Sequence, residues 1–176
     1  DEILKNISNE NPDIIGFTVM SSFIKNILPI AEKIKKNFDI PIILGGPHPT
    51  LFPDVINESC VDIICRGEGE FALMELLDAI AGQKSYDQIQ NLWIKSDGKI
   101  IKNELRSLTD PLDEIPLIDW SCYSGTIVEN SAPTAFLIRG CPYSCSYCFN
   151  QSTRQMYKGK GNYIRHFSVK RSIAEI

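Results

Sequence analysis

Three short runs of this chain are apolar almost from end to end: Ile14–Val19, Pro41–Leu44 and Val61–Cys65. A strand with one face in water alternates apolar and polar residues, so an unbroken run marks a strand covered on both faces. Between and after these runs the period changes. Ile24, Ile27, Leu28, Ala31 and Ile34 form one helical stripe, with Asn26 as its expected cap and Pro29 in the first turn, where proline is tolerated. Phe71, Leu73, Met74, Leu76, Leu77 and Ile80 form another over about Glu70–Ala81, stopped by Gly82. Ile3, Leu4 and Ile7 predict a helix over the first ten residues, stopped at Asn11-Pro12-Asp13. Buried strands alternating with amphipathic helices predict an α/β fold, an open, doubly wound parallel sheet of Rossmann-like type. Ligands of such sheets sit at the C-terminal strand ends, here Met20–Phe23, Gly45–Pro53 and Arg66–Glu70.

Leu92–Ile94 and Lys99–Ile101, joined by Ser96-Asp97-Gly98, predict a β-hairpin within 92–101. No period persists from Arg106 to Pro133, which is expected to be a linker with Leu112, Ile115, Leu117 and Trp120 as apolar anchors. Thr134–Ile138 predicts a new buried strand running into Arg139-Gly140-Cys141-Pro142, and Ser168 a cap for a further helix. The expected division is therefore 1–105, 106–133 and 134–176.

Composition narrows the function classes. Of 176 residues 43% are hydrophobic and 23% charged, enough for a core and unlike a disordered tail or a coiled coil. Eighteen basic against 22 acidic residues give a net charge of −4 with no basic block, which argues against a nucleic-acid platform. No apolar run approaches the roughly 18 residues of a membrane span. No basic-then-apolar leader opens the chain, so a cytoplasmic location is expected; the start at Asp1 is read as a piece of something longer.

Six cysteines occur, and three fall within eight residues: Cys141-Pro-Tyr-Ser-Cys145-Ser-Tyr-Cys148. Clustering of this kind in a cytosolic chain points to metal or redox chemistry before disulfides. Thiolates are the usual ligands of iron–sulfur clusters, and a cubane with four irons then keeps one iron for a substrate. Gly140 lets the backbone approach closely and Pro142 stiffens the bend. Other readings remain at this point: a zinc site completed by His48 or His166, a redox dithiol of Cys145 and Cys148, or accidental clustering.

The loop resembles the signature of the radical SAM enzymes, with Tyr147 as the aromatic residue before the third cysteine. The resemblance implies a [4Fe-4S] cluster on Cys141, Cys145 and Cys148 at the end of the first strand of a partial (β/α) barrel. It implies S-adenosylmethionine on the open iron, reductive cleavage to methionine and a 5′-deoxyadenosyl radical, and Tyr147 beside the adenine. Pro12–Thr18, Gly45-Gly46-Pro47-His48-Pro49-Thr50 and Val61–Glu70 are similar to the cobalamin-binding domain that precedes the barrel in B12-dependent radical SAM proteins. The linker at Leu112–Pro116 and the Arg-Gly-Cys-Pro entry fit the same order. By that resemblance cobalamin lies over the strand ends, its nucleotide tail passing Ser21 and Ser22, Gly45 and Gly46, and Gly67 to Gly69. The Asp-x-His-x-x-Gly motif of a lower axial histidine occurs nowhere in the chain, and the domain's first strands are expected to lie before Asp1.

The implied activity is that of a cobalamin-dependent radical S-adenosylmethionine enzyme, most naturally a methyltransferase. A radical cyclisation or rearrangement enzyme is the near alternative, and a non-catalytic cobalamin- or zinc-binding module the distant one. The family implies a low-potential electron donor of flavodoxin or ferredoxin type and a small-molecule substrate. The 176 residues alone are expected not to catalyse. His48 is read as a hydrogen-bonded loop residue, and Cys60, Cys65 and Cys122 as buried thiols. Asp113 and Glu114 are read as solvated linker charges, and Arg165 and His166 as surface charges or neighbours of the cluster. Gly67-Glu68-Gly69-Glu70-Phe71-Ala72 matches a weak dinucleotide fingerprint, set aside because two glutamates would repel a pyrophosphate.

Overall fold

The structure, a computed structural model, describes residues 2–119 and 135–175. Two compact units divide the chain, Asp1–Arg106 and Ser107–Ile176. Cys122, Trp120, Pro133 and Thr134 lie outside the described residues.

In the first unit the three apolar runs form β1 (Ile15–Thr18), β2 (Ile42–Gly45) and β3 (Ile63–Cys65), paired in parallel with Ile15 opposite Ile42 and Leu44 opposite Ile64. Alternate side chains of each strand enter opposite layers. Ile42, Leu44 and Ile64 pack with Ala31 and Ile34 of α2 (Ile24–Asn37), while Leu4 and Ile7 of α1 (Glu2–Glu10) lie against the same cluster. Ile43, Ile63 and Cys65 face the other way, onto Ala72 and Leu76 of α4 (Glu70–Ala81). Helices therefore cover both faces of β2 and β3, whereas β1, at the end of the strand order, packs Ile15 and Phe17 on the first cluster and leaves Gly16 and Thr18 exposed, so the expectation of a strand buried on both faces fails there. Burial pushes the Cys65 thiol up to about 11, helped by the Glu70 charge and opposed by Arg106. Cys60, 2% exposed, is likewise raised by burial first, so both behave as small apolar side chains.

The hairpin is β4 (Leu92–Ser96) and β5 (Lys99–Lys102), turned through Asp97 and Gly98 at φ +49° and +72°, both left-handed as a two-residue hairpin requires. It adds antiparallel to β3, so the sheet order is β1-β2-β3-β4-β5. Three expectations change here. Asn26 does not cap α2: the helix starts at Ile24 behind a turn in which the Phe23 N–H bonds the Met20 carbonyl, leaving Pro29 inside it on the exposed side. Gly45–Pro53 is not all loop, because Pro47 starts a short helix, α3 (Pro47–Leu51), that a fixed φ favours at its first position. A 3₁₀ turn over Pro53–Asn57 follows and buries Val55 and Ile56.

The second unit holds β6 (Ile138–Arg139), α5 (Asn150–Met156), β7 (Arg165–His166) and α6 (Val169–Glu175). Its expected buried strand differs from the structure. Among the described residues of that run and its continuation, Ile138–Arg139 alone is strand, paired antiparallel with β7, and Phe136 and Ile138 are 82% and 60% exposed. A two-residue ladder supplies no layer to cover those side chains. Ser168 does cap α6, its hydroxyl accepting the Arg171 N–H at 3.1 Å. Asp113, read from sequence as a solvated charge, is exposed, and hydrogen bonds from the Ser168 side chain first and from the Ser168 N–H at 2.8 Å second hold its carboxyl below the usual carboxylate range. Leu112 and Ile115 are buried as anchors, whereas Leu117 is 51% exposed. Arg165 is a buried side chain on the Thr109 carbonyl at 2.7 Å, and His166 is exposed.

Candidate functional sites

Parallel strands bring their C-terminal ends to one edge, so the loops after β1, β2 and β3 meet there. The Val19 N–H bonds the Gly45 carbonyl at 2.8 Å, and the His48 N–H bonds the Val19 carbonyl at 2.9 Å. Ser21 and His48 join the same two loops through Oγ and Nδ1 at 3.0 Å, and the His48 ring stacks on Phe52 with centroids 5.3 Å apart. Burial lowers the His48 pKa, so the ring is neutral at pH 7. Ser22 is exposed and joins no described hydrogen bond.

The glycines here play different parts. Gly46 has φ +90°, and a Cβ on it would stand 3.1 Å from the Val19 nitrogen and from Thr18 Cγ2. Gly67 has φ +78°, and a Cβ on Gly69 would stand 3.3 Å from Cys65 Sγ. Around Gly45 there is nothing within 4 Å of an added Cβ, so its lack of a side chain is not required by packing. Gly46→Ala is therefore expected to destabilise the unit by about 1–3 kcal/mol in chemical denaturation, while Gly45→Ala leaves the midpoint unchanged. If the edge takes a ligand, Gly45→Leu then weakens that ligand without moving the midpoint; a loss of stability at Gly45 equal to that at Gly46 would remove it from the site.

Two residues that sequence reasoning passed over hold this edge together. Thr50 is 5% exposed; its hydroxyl donates to the Gly46 carbonyl at 2.7 Å and accepts the Gly67 N–H at 2.9 Å. Asn91, fully buried at φ +74°, donates to the Glu68 carbonyl at 2.6 Å and accepts the Arg106 N–H at 2.8 Å. A lone Asn before an apolar strand hints at a left-handed turn, but its partners are distant in sequence. Met20, Phe23 and Phe52 at the same loops are each more than half exposed and give the edge an apolar rim.

The second site is the cysteine loop. Gly140 follows β6 at φ +86°, and its α-carbon lies against the Tyr163 carbonyl so closely that a Cβ would meet the carbonyl carbon at 2.8 Å. Cys145 is exposed, Cys141 and Cys148 half-buried, and the three are free thiols. The Cys148 N–H bonds the Cys145 carbonyl at 3.1 Å, closing a turn, and Asn150 Nδ2 donates to Cys148 Sγ at 3.3 Å. Tyr147 is 90% exposed beside them. Arg154 donates to the Cys141 carbonyl and its guanidinium lies 5.5 Å from the Tyr163 ring centroid. Burial raises the Tyr163 pKa, with the Cys141 and Cys148 sulfurs pushing the same way. Among the described residues no three His, Cys, Asp or Glu side chains stand close enough to hold one metal ion. The loop thus gathers three thiols on one turn without closing them on a point; each sulfur swings about a single χ1 bond. Three soft donors on a loop, one already taking an N–H, suit an iron–sulfur cluster. His48 belongs to the first unit, and His166, exposed, bonds the Phe167 carbonyl through Nδ1 at 3.1 Å.

Residues 1–77 match the family described as the B12 binding domain. An uncharacterised methyltransferase of Pyrococcus horikoshii, PH0819, is 32% identical over 99% of this chain and 38% of its own length. The anaerobic magnesium-protoporphyrin IX monomethyl ester cyclase of Rubrivivax gelatinosus is 30% identical over 84% of this chain and 29% of its own. Among solved structures, that of OxsB, a cobalamin-dependent S-adenosylmethionine radical enzyme with aqua-cobalamin and S-adenosylmethionine bound, has a TM-score of 0.68 at 23% identity, over 99% of this chain and 24% of that one. The chain thus spans well under half the length of the curated relatives it matches. Among the described residues no helix is long and apolar enough to cross a membrane.

Proposed function

We infer that the chain belongs to the B12-binding-domain-containing radical SAM proteins, and from that premise propose that it is part of a cobalamin-dependent radical S-adenosylmethionine enzyme. The observation that carries the proposal is the Cys141, Cys145 and Cys148 turn, its thiols reachable, in the same chain as a match to the B12 binding domain. In this reading 1–105 is the cobalamin-binding unit, 106–133 the linker and 134–176 the start of the barrel.

The strand-end edge suits a large flat ligand. Its floor at Gly45 lacks a side chain, its rim at Met20, Phe23 and Phe52 is apolar, and a neutral His48 held by Ser21 supplies a polar point. Ser21, Ser22, Gly45, Gly46, Gly67 and Gly69 line the path of the nucleotide tail. Cys141, Cys145 and Cys148 hold the cluster, and Tyr147 lies against the adenine of S-adenosylmethionine. When bound, the cluster supplies one electron to cleave the sulfonium and cobalamin carries a methyl group. Gly140 and Tyr163 would set where the thiols stand, and Cys145, exposed, would leave the turn open to its cofactors.

Methyl transfer to a small molecule is the preferred reaction, because the relative matching 99% of the chain is named a methyltransferase. Radical cyclisation is the second reading, favoured by the cyclase at 30% identity. A low-potential electron donor of flavodoxin or ferredoxin type completes the scheme. The test is anaerobic reconstitution of the intact protein with iron, sulfide and hydroxocobalamin. A brown protein absorbing near the visible–ultraviolet boundary, retaining corrin and releasing 5′-deoxyadenosine from S-adenosylmethionine on reduction, is expected. Bound zinc without iron would overturn the proposal and favour the structural-module reading.

A further inference from the structure

We propose that Asn150 is a positioning residue that tunes the metal centre, donating its side-chain N–H to Cys148 Sγ from an orientation set by Tyr163. The inference rests on the cluster reading above. Asn150 is the first residue of α5, two positions after Cys148, and its Nδ2 stands 3.3 Å from that sulfur. An amide can turn either end toward a neighbour, and an oxygen turned to a thiolate would repel it. The Tyr163 hydroxyl removes this freedom. It lies 3.1 Å from Asn150 Oδ1, and a donated phenolic hydrogen there leaves the N–H pair for sulfur.

Tyr163 is itself held from several directions, including a side-chain hydrogen bond with Thr153. Its backbone carbonyl is packed against Gly140, its ring carries the Arg154 guanidinium, and its hydroxyl reaches Asn150. One residue thus braces both ends of the cysteine turn, the backbone before Cys141 and the side chain beyond Cys148. Neither link is visible in the Cys-x3-Cys-x2-Cys pattern, since Tyr163 lies 15 residues after Cys148.

The consequence is electrostatic. Reduction adds negative charge to a cluster and its thiolates, and a hydrogen bond to a ligating sulfur stabilises the more negative state. Removing the donor makes reduction harder. Only Cys148 among the three receives a described side-chain N–H, so the effect falls on one corner of the cluster.

The experiment is an anaerobic redox titration of the reconstituted intact protein, followed by electron paramagnetic resonance of the reduced cluster. Asn150→Leu keeps the shape and loses the donor; Tyr163→Phe keeps the ring over Arg154 and loses only the hydroxyl. At the wild-type midpoint, Asn150→Leu is expected to lower the reduced-to-oxidised ratio about tenfold, equivalent to about 59 mV for one electron. Tyr163→Phe is expected to lower it by a smaller factor. An unchanged ratio in both, at full iron content, overturns the proposal. If Asn150→Leu does not retain iron, Tyr163→Phe decides alone: a lowered ratio supports the proposal and an unchanged one overturns it. Wild-type protein that takes up no cluster overturns the reading underneath instead, so the two failures are distinct.

Discussion

Intact protein carrying Cys145→Ala is expected to lose its iron–sulfur absorbance and its cleavage of S-adenosylmethionine, with activity falling to the level without enzyme. The expected loss is complete because the turn offers three thiolates and a four-iron cubane with one open corner uses all three. Two thiolates leave two irons without protein ligands, and such a centre is lost to solvent. The folded chain should not register the change. Cys145 is exposed, and what it gives the turn is its backbone carbonyl, accepting the Cys148 N–H at 3.1 Å, which alanine supplies equally. Thermal unfolding before reconstitution is therefore expected to match wild type, and so is corrin retained by the first unit. Iron bound at the wild-type level, or unaltered release of 5′-deoxyadenosine, would remove Cys145 from the ligand set. Equal loss of corrin would show that the two cofactors do not occupy separate units as proposed.

Gly140→Ala is expected to fail for a different reason. The residue is held at φ +86°, a region that costs an L side chain about 1–3 kcal/mol. Its missing Cβ is also the space occupied by the Tyr163 carbonyl, whose carbon would stand 2.8 Å away. That neighbour is backbone and cannot swing aside as a side chain would, so overpacking adds a further 1–3 kcal/mol or so. A total of about 2–6 kcal/mol is large for one added methyl group. Hydrogen exchange should show protection lost in Ser107–Ile176 and retained in Asp1–Arg106. Iron uptake should fall with it, because the brace between Gly140 and Tyr163 places the start of the turn. Wild-type protection with Gly140→Ala would mean that β6 and β7 do not meet as described.

Together the two substitutions separate chemistry from architecture. Cys145→Ala removes a ligand from an intact turn, and Gly140→Ala removes the turn while leaving every thiol in the chain. If both leave iron binding intact, the cysteine spacing is coincidental and the zinc or redox readings return.

Much of this protein was legible along the chain because its signals are local. The unbroken apolar runs at β2 and β3 require cover on both faces, and α2 and α4 supply it from opposite sides, whereas the run at β1 is covered on one face only, with Gly16 and Thr18 exposed. The stripe ending at Gly82 gives α4 its bounds, and Asp97-Gly98 gives the hairpin its turn. The cysteine spacing is equally local, since it puts three thiols on eight residues of one loop. What misled was the same locality. Thr134–Ile138 has the composition of a buried strand, yet burial depends on a neighbouring layer, and its described partner is two residues long. Pro29 looked like a first-turn residue because Asn26 has the chemistry of a cap, yet the helix begins at Ile24 with no side-chain cap and takes Pro29 inside.

By itself the order of residues determined the alternation of strands and helices, the loops that would share an edge and the trio of thiols, because each follows from periodicity or spacing over fewer than about 20 residues. Only the folded chain decided which groups fasten those pieces. Thr50 meets Gly67, Asn91 meets Glu68 and Arg106, and Tyr163 meets both Gly140 and Asn150. Buried hydrogen-bonding groups must find partners wherever packing brings them. A single directional contact between residues 13 to 23 positions apart leaves no period in the sequence by which it can be read.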